Sequence, residues 1–218
     1  VTTNGFAGCS AAFSATVRNC TVEAGVTVGC DGDQYMVGSI AGRMQGTVEN
    51  CTSNATVRGV NYVGGIIGTR DNAMGVCSVT GCTFDGTVQA SGKNVGGIVG
   101  GGYENSTAPN GVLPTIVDNT CTGTVIGVEN VGGILGGDEY VAQAWNTYEM
   151  KDNFFGGKIS GQANVGAIIG FKKSLNRCDG ISGNTFTHGC GAEKGIGGVW
   201  LVDTNCAAPT AIDGVKYV

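Results

Sequence analysis

Residues 94–100 read Asn-Val-Gly-Gly-Ile-Val-Gly, and near copies of this stretch recur along the chain. Each copy combines β-branched or other apolar residues with two or three glycines: Met-Val-Gly-Ser-Ile-Ala-Gly at 36–42, Tyr-Val-Gly-Gly-Ile-Ile-Gly at 62–68, Asn-Val-Gly-Gly-Ile-Leu-Gly at 130–136, Asn-Val-Gly-Ala-Ile-Ile-Gly at 164–170 and Gly-Ile-Gly-Gly-Val-Trp-Leu at 195–201. A unit this short cannot bury its apolar side chains alone, so each copy must pack on the next. The sequence therefore predicts a stack of repeats.

The composition supports close packing of backbones rather than disorder. Glycine accounts for 41 of the 218 residues and proline for only 3, without the three-residue period of collagen. The net charge of −5 offers no basic patch, so we expect no nucleic-acid partner. No apolar run is long enough to span a bilayer, so we expect no membrane insertion.

The chain contains 10 cysteines and few charges, which favours an extracellular, oxidising location. It begins at Val1 with neither a methionine nor a signal peptide. We therefore expect a piece of a larger protein with flanking domains.

The smallest repeat is 26 residues long, from Val37 to Val63. At about 3.3 Å per strand residue, this length suffices for three short strands and three bends around a narrow core. The predicted fold is an all-β parallel β-solenoid (β-helix) of about six to seven three-stranded rungs, covering residues 1–202. Residues 203–218 lack the repeat and are expected to form a cap or the lead into a following domain.

Alignment of the copies predicts three inward-facing columns, since their spacing keeps one parity along each strand. The columns are Val22, Ser53, Phe84, Cys121, Phe155 and Phe186; Val26, Val57, Val88, Val125, Ile159 and Cys190; and Cys9, Ile40, Ile66, Ile98, Ile134, Ile168 and Val199. The segment Thr16 to Cys20 aligns with Thr47 to Cys51. Ile98 is thus expected to lie between Ile66 and Ile134.

A further column consists of Cys20, Cys51, Cys82, Asn119, Asn153 and Asn184. Its asparagines can stack as an amide ladder, each side chain bonding the next. Its cysteines would lie about 4.8 Å apart, within disulfide reach, although three in line cannot all pair. The sequence does not assign the disulfide pairs.

Repeats longer than the minimum gain their extra residues just after the glycine-rich strand. This places the insertions at one edge of the coil, at residues 69–78, 101–115 and 137–150. Side chains suited to a sugar ring or a protein partner lie in or beside the insertions: Arg43, Arg70, Tyr103, Asp138, Tyr140, Trp145 and Lys172. We predict ligand contacts there, and shielding of the sheet edge is the alternative.

The Val-Gly-Gly-Ile-Ile-Gly copies resemble the GLUG motif, a short repeat of bacterial cell-surface and secreted proteins that also occurs beside IgA-specific metallopeptidase domains. The resemblance covers about residues 5 to 201 and is strongest at 63–68, 95–100 and 131–136. It implies a non-catalytic repeat region of a larger bacterial surface or secreted protein, and it carries over no catalytic residues.

Candidate catalytic residues are few, and we expect no enzyme, cofactor or metal site. His188 is the only histidine, which excludes the His-Glu-x-x-His zinc motif. The acidic residues that could act on a polysaccharide lie in different loops: Asp31, Asp33, Asp71, Glu104, Asp138 and Glu139. The Cys-Asp-Gly-Asp stretch at 30–33 lacks the further oxygen ligands of a calcium site and is better explained as a turn.

Three classes of function remain open. A rigid adhesive or stalk module leads, a module binding a glycan or a host protein is second, and a polysaccharide-active enzyme is third. Outward threonines at Thr47, Thr56, Thr87 and Thr124 are also typical of ice-binding solenoids, although the series ends at Lys158.

Overall fold

The computed structural model describes residues 10–32, 34–70, 77–102, 115–138, 149–174, 181–201 and 215–217. All regular elements in these ranges are β-strands, and their pairing is parallel from β1 (Ser10–Arg18), which pairs with β5 (Ala41–Glu49), to the end of the stack. No helix long and apolar enough to cross a membrane lies in the described ranges. The predicted parallel β-solenoid is confirmed.

The strands form four sheets, which the chain visits in turn. Sheet 1 contains β4 (Tyr35–Gly38), β8 (Asn61–Gly64), β13 (Lys93–Gly96), β18 (Glu129–Gly132) and β23 (Ala163–Gly166). Sheet 2 contains β1, β5, β9 (Ile67–Arg70), β10 (Cys77–Thr80), β14 (Val99–Gly102), β15 (Thr115–Val117), β19 (Leu135–Asp138), β20 (Glu149–Lys151), β24 (Ile169–Ser174), β25 (Ile181–Ser182) and β27 (Ile196–Leu201).

The two remaining sheets are built from the shortest strands. Sheet 3 contains β2 (Thr21–Val22), β6 (Thr52–Ser53), β11 (Thr83–Phe84), β16 (Thr120–Cys121), β21 (Phe154–Phe155), β26 (Asn184–Phe186) and β28 (Val215–Tyr217). Sheet 4 contains β3 (Thr27–Gly29), β7 (Thr56–Gly59), β12 (Thr87–Ala90), β17 (Thr124–Ile126) and β22 (Lys158–Ser160). Strand β28 comes from the predicted cap and extends sheet 3 beyond β26.

A complete rung passes through four sheets rather than the three strands predicted from the sequence. The difference arises because the repeat motif is a bend between two sheets and not a single strand. In the copy at 62–68, Gly64 ends sheet 1 and Ile67 begins sheet 2. A Cβ atom added to Gly100 would lie 2.6 Å from the backbone nitrogen of Val63 in the preceding rung. Sheets 1 and 2 thus meet backbone to backbone, which only glycine permits.

A row of left-handed residues starts each copy of the motif. Asn94, Asn130 and Asn164 have φ values of 61, 54 and 51°, and Met36 and Tyr62 occupy the same position in earlier rungs. Asparagine tolerates this conformation better than other residues with a side chain. The Asn130 amide donates to Asn94 Oδ1 at 2.9 Å, and the Asn164 amide donates to Asn130 Oδ1 at 2.8 Å. This ladder of asparagine side chains was not predicted from the sequence. The asparagine that starts three copies of the motif was the feature that could have indicated it.

The isoleucine column is confirmed in the middle of the stack. Ile66, Ile98 and Ile134 are each 0% exposed. The Ile66 N–H donates to the Ile98 carbonyl, and the Ile98 N–H donates to the Ile134 carbonyl, both at 3.1 Å. Sheet 2 adds an inward column that sequence alignment missed: Val48, Val79, Ile116, Met150 and Ile181.

Two column assignments are wrong, both near the ends of the stack. Val28, not Val26, pairs with Val57, and Val26 is 41% exposed. The turn closed by the Val26 N–H and the Glu23 carbonyl lengthens this rung by two residues. Val199 pairs with Lys172 rather than Ile168.

Val199 was assigned to the wrong column because the last rung that the structure describes contributes no strand to sheet 1. Lys194 and Gly195 lie against the bend of the previous rung, where their carbonyls accept from the N–H groups of Ala167 and Ile168 at 2.8 and 2.9 Å. Ile196 consequently enters sheet 2 opposite Ile169. At the other end, the alignment of Thr16 with Thr47 is confirmed, and Cys9 lies outside the described residues.

The predicted amide ladder is confirmed. Asn119 Nδ2 donates to Asn153 Oδ1 at 3.0 Å, and Asn153 Nδ2 donates to Asn184 Oδ1 at 2.8 Å. All three residues are 0% exposed. Each amide also donates to a carbonyl of the preceding rung, as Asn119 Nδ2 does to Val79 at 2.9 Å. The ladder thus satisfies buried polar groups at the corner between sheets 2 and 3.

The described cysteines are free thiols: Cys20, Cys30, Cys51, Cys77, Cys82, Cys121 and Cys190. Cys121 and Cys190 are 0% and 1% exposed, as their predicted columns require. Burial raises the pKa of the Cys121 thiol to about 12, which favours its neutral form.

We expect Cys121 to resist a soluble alkylating reagent from about pH 7 to pH 9, since its thiol is both buried and un-ionised over that interval. Exposed Cys20 should react over the same interval. Peptide mass mapping after timed alkylation of the native chain measures both rates. Equal rates for the two thiols would contradict the inward orientation of the Cys121 column.

Candidate functional site

The insertions interrupt a strand rather than a bend. Strand β5 runs without a break through sheet 2, and its two halves pair with separate strands of the next rung. Met44 pairs with Arg70, the last residue of β9, and Gly46 pairs with Cys77, the first residue of β10. The insertion at 71–76 therefore replaces the single residue Gln45.

The same break recurs at the same position in the next three rungs. Its flanking strands are β14 and β15, β19 and β20, and β24 and β25, which stack on β9 and β10 in register. The insertions at 103–114, 139–148 and 175–180 thus leave the coil in line with that at 71–76. The predicted gathering of insertions along one line is confirmed, and the line lies within sheet 2.

The residues that precede the insertions form one column on sheet 2. Arg70 pairs with Gly102, Gly101 pairs with Gly137, and Asp138 pairs with Lys172. This column, which we call the exit column, therefore comprises Met44, Arg70, Gly102, Asp138, Lys172 and Val199. It brings together three of the residues that the sequence selected, Arg70, Asp138 and Lys172, and Arg43 lies in the adjacent column beside Thr69.

The two described cations of the exit column are buried. Arg70 is 3% exposed and Lys172 is 4% exposed, whereas Arg43 is half-buried. A Cβ atom added to Gly102 would lie 3.2 Å from Arg70 Nε, so the absence of a side chain at Gly102 makes room for the guanidinium. Of the three cations that the sequence selected, Arg43 is accordingly the one with the freest access to an external ligand.

A thiol lies next to Arg70 across the first insertion. Burial raises the pKa of Cys77 to about 12, and the positive charge of Arg70 opposes that rise without cancelling it. Cys77 is 1% exposed. It therefore behaves as a buried neutral side chain rather than as a nucleophile.

The aromatic candidates Tyr103, Tyr140 and Trp145 lie outside the described residues, as does the side chain of Asp138. Their proximity to a ligand stays a prediction. The sequence did not reveal that Arg70 and Lys172 are buried. Met44 in the uninterrupted strand was the available signal, because it marks their position as one that faces inward.

Of the residues considered for catalysis, only His188 and Asp31 have side chains that the structure describes. His188 is exposed in a turn next to Gly189, where φ is 74°. Asp31 forms an ion pair with Arg58 at 3.4 Å. The described residues contain no group of three or more histidine, cysteine, aspartate or glutamate side chains that could hold a metal ion.

Two threonine rows run along neighbouring sheets. Thr27, Thr56, Thr87 and Thr124 stack on sheet 4 and end at Lys158. The row on sheet 3 ends similarly at a non-threonine residue: Thr21, Thr52, Thr83, Thr120 and then Phe154. Thr47 belongs to sheet 2, beside Ser78. The threonines thus span four rungs, and the bulky Phe154 and Lys158 interrupt both rows at the fifth.

The four sheets and the aligned insertions define this chain as a parallel β-solenoid repeat protein. No family model matches it, and neither the curated proteins nor the solved structures provide a significant match. The resemblance to the GLUG motif stays a prediction based on the repeated residues.

Proposed function

We propose that this chain is a non-catalytic repeat module of a bacterial surface or secreted protein, acting as a rigid adhesive or stalk domain that displays loops. The observation that supports the proposal is the alignment of the insertions. Four rungs open at the same position of sheet 2, while β5 closes that position with Gln45 alone. The rungs therefore do not need the insertions in order to stack.

The rest of the rung is suited to a stiff support. Backbone hydrogen bonds link each rung to the next, and the asparagine ladders bond the corners along the axis. Glycines bring sheets 1 and 2 into backbone contact, which leaves little space for change. Loops on a constrained scaffold can vary without loss of the fold, which is the usual design of a binding surface on repeats.

The second candidate is direct recognition of a glycan or a host protein by the inserted residues. It is favoured by the presence of Tyr103, Tyr140 and Trp145 in two of the insertions and by the partial exposure of Arg43 nearby. Aromatic rings and arginine are the side chains most enriched at binding interfaces. A glycan array or a panel of host-surface proteins identifies such a ligand.

Replacement of residues 103–114 by the dipeptide Gln-Gly, copied from β5, should leave the solenoid folded. Strand β5 shows that a rung closes with this sequence, and loop length contributes little to closure entropy. We expect the circular dichroism spectrum to be retained and the melting temperature to change by less than about 4 °C.

The same variant tests whether the inserted residues bind a ligand or only support the fold. If the inserted residues bind the ligand found on the array, the loop-replaced chain and Trp145→Ala should each bind it at least about tenfold more weakly. The matched control is Tyr35→Ala, which removes an exposed aromatic ring from sheet 1. Loss of folding in the loop-replaced chain would contradict the scaffold proposal, and full binding by both variants would move the ligand to the sheet faces.

A further inference from the structure

We propose that Cys20 and Cys51 are a redox-active pair that closes a disulfide between the first two rungs when a small-molecule disulfide acts as the oxidant. The proposal concerns the end of the stack where β2 lies, away from the insertions, and does not depend on the proposed function.

The two cysteines are direct neighbours in adjacent parallel strands. Thr21 pairs with Thr52, and the Thr52 N–H donates to the Cys20 carbonyl at 2.9 Å. Cys20 therefore lies opposite Cys51. Neighbouring strands are about 4.8 Å apart, and disulfides join residues whose Cα atoms are about 4.4 to 6.8 Å apart. The Cα spacing therefore falls within the range of a disulfide, and the bond needs only a small approach of the two Cβ atoms, to about 3.5–4.5 Å.

The thiols are also aligned in orientation. Cys20 Sγ donates to the carbonyl of Arg18 at 3.5 Å, and Cys51 Sγ donates to that of Glu49 at 3.4 Å. Both bonds reach back two residues, so the two sulfur atoms lie on the same side of their strands. The two thiols therefore project in the same direction from neighbouring strands, as a disulfide between them requires.

A third thiol lies beyond the pair and selects which bond forms. Cys82 follows Cys51 in the column, since the Thr83 N–H donates to the Cys51 carbonyl at 2.9 Å. Cys20 is exposed, whereas Cys51 and Cys82 are 0% exposed. Burial also raises the pKa of Cys82 to about 12. Of these three thiols, only Cys20 can meet an oxidant directly, and only Cys51 is adjacent to it.

The chemistry is ordinary thiol–disulfide exchange. The Cys20 thiolate attacks one sulfur of the oxidant, which forms a mixed disulfide and releases one thiolate. The Cys51 thiolate then attacks the Cys20 sulfur, which forms the Cys20–Cys51 bond and releases the second thiolate. The two cysteines lose two protons and two electrons, and the oxidant is reduced to two thiols. Burial raises the pKa of Cys51, so the second step should be the slower one.

The test is to incubate the native, reduced chain with oxidised glutathione and to quench with an alkylating reagent in denaturant. Digestion with trypsin and a glutamate-specific protease cuts after Arg18, Glu23 and Glu49, which separates Cys20, Cys30 and Cys51 into different peptides. We expect a linked peptide containing Cys20 and Cys51 that disappears on reduction. Cys30→Ser is the matched control and should leave its yield unchanged.

Cys51→Ala should convert the linked product into a stable glutathione adduct on Cys20, and Cys82→Ser should leave the link intact. The proposal is overturned if Cys20 in the unsubstituted chain ends as the glutathione adduct with Cys51 still alkylatable, or if no reaction occurs at Cys20. It is equally overturned if Cys51 is linked to Cys82 or Cys20 to Cys30. Cys20→Ser lies at an exposed position, so its loss of the link is not a folding artefact.

Discussion

Replacement of Ile98 by aspartate is expected to unfold the middle of the solenoid. Ile98 is 0% exposed and lies between Ile66 and Ile134, so a carboxylate there has neither water nor a counter-charge in its column. Loss of the apolar contacts and burial of an unpaired charge together should destabilise the chain by about 5 kcal/mol or more. Because each rung is stabilised by its neighbours, the damage should spread to the rungs on both sides.

The same substitution at an exposed isoleucine of the solenoid provides the control. Ile126 is 38% exposed on sheet 4 and stacks between Gln89 and Ser160, so Ile126→Asp should lower stability by less than about 1 kcal/mol. Thermal melts followed by circular dichroism measure both variants, and hydrogen exchange locates the loss. If the two variants have the same melting temperature, Ile98 does not occupy the core.

The sequence predicted the columns in the middle of the stack because strand alternation has a strict period. An odd slip would turn Val88 outward and bring Thr87 or Gln89 inward, so only even registers were admissible. Both column errors are even slips. Val28 replaces Val26 after a shift of two, and Val199 is displaced by four, so parity could not detect either one.

The division into four sheets could not be predicted for a different reason. The glycines of the motif signal close approach, but the partner of Gly100 is the backbone near Val63, which lies one rung away. Local sequence does not specify such a contact. The burial of Arg70 and Lys172 could not be predicted from the sequence either. A charged residue at the start of a loop is usually exposed.

The largest polar effect is expected at Asn153, in the centre of the amide ladder. Its Oδ1 accepts from Asn119 N and Nδ2, both at 3.0 Å, and its Nδ2 donates to the Ile116 carbonyl and to Asn184 Oδ1, both at 2.8 Å. Asn153→Ala removes all four bonds in a site that is 0% exposed. The buried Asn119 N–H then lacks its acceptor, and we expect a loss of about 3 kcal/mol in the free energy of unfolding.

The column also allows the ladder to be lengthened, which separates hydrogen bonding from packing. Cys82 precedes Asn119 in the column, and its thiol points towards the Val48 carbonyl at 3.8 Å, just as the Asn119 amide donates to Val79. In Cys82→Asn, the new Nδ2 can donate to Asn119 Oδ1 and to Val48, and the new Oδ1 can accept from the Cys51 N–H. We expect stability to rise by about 1 kcal/mol, or to stay level if side-chain ordering offsets the gain. Chemical denaturation compares both variants with the unsubstituted chain. Destabilisation of similar size in both would mean that residue volume, rather than the amide ladder, holds this corner together.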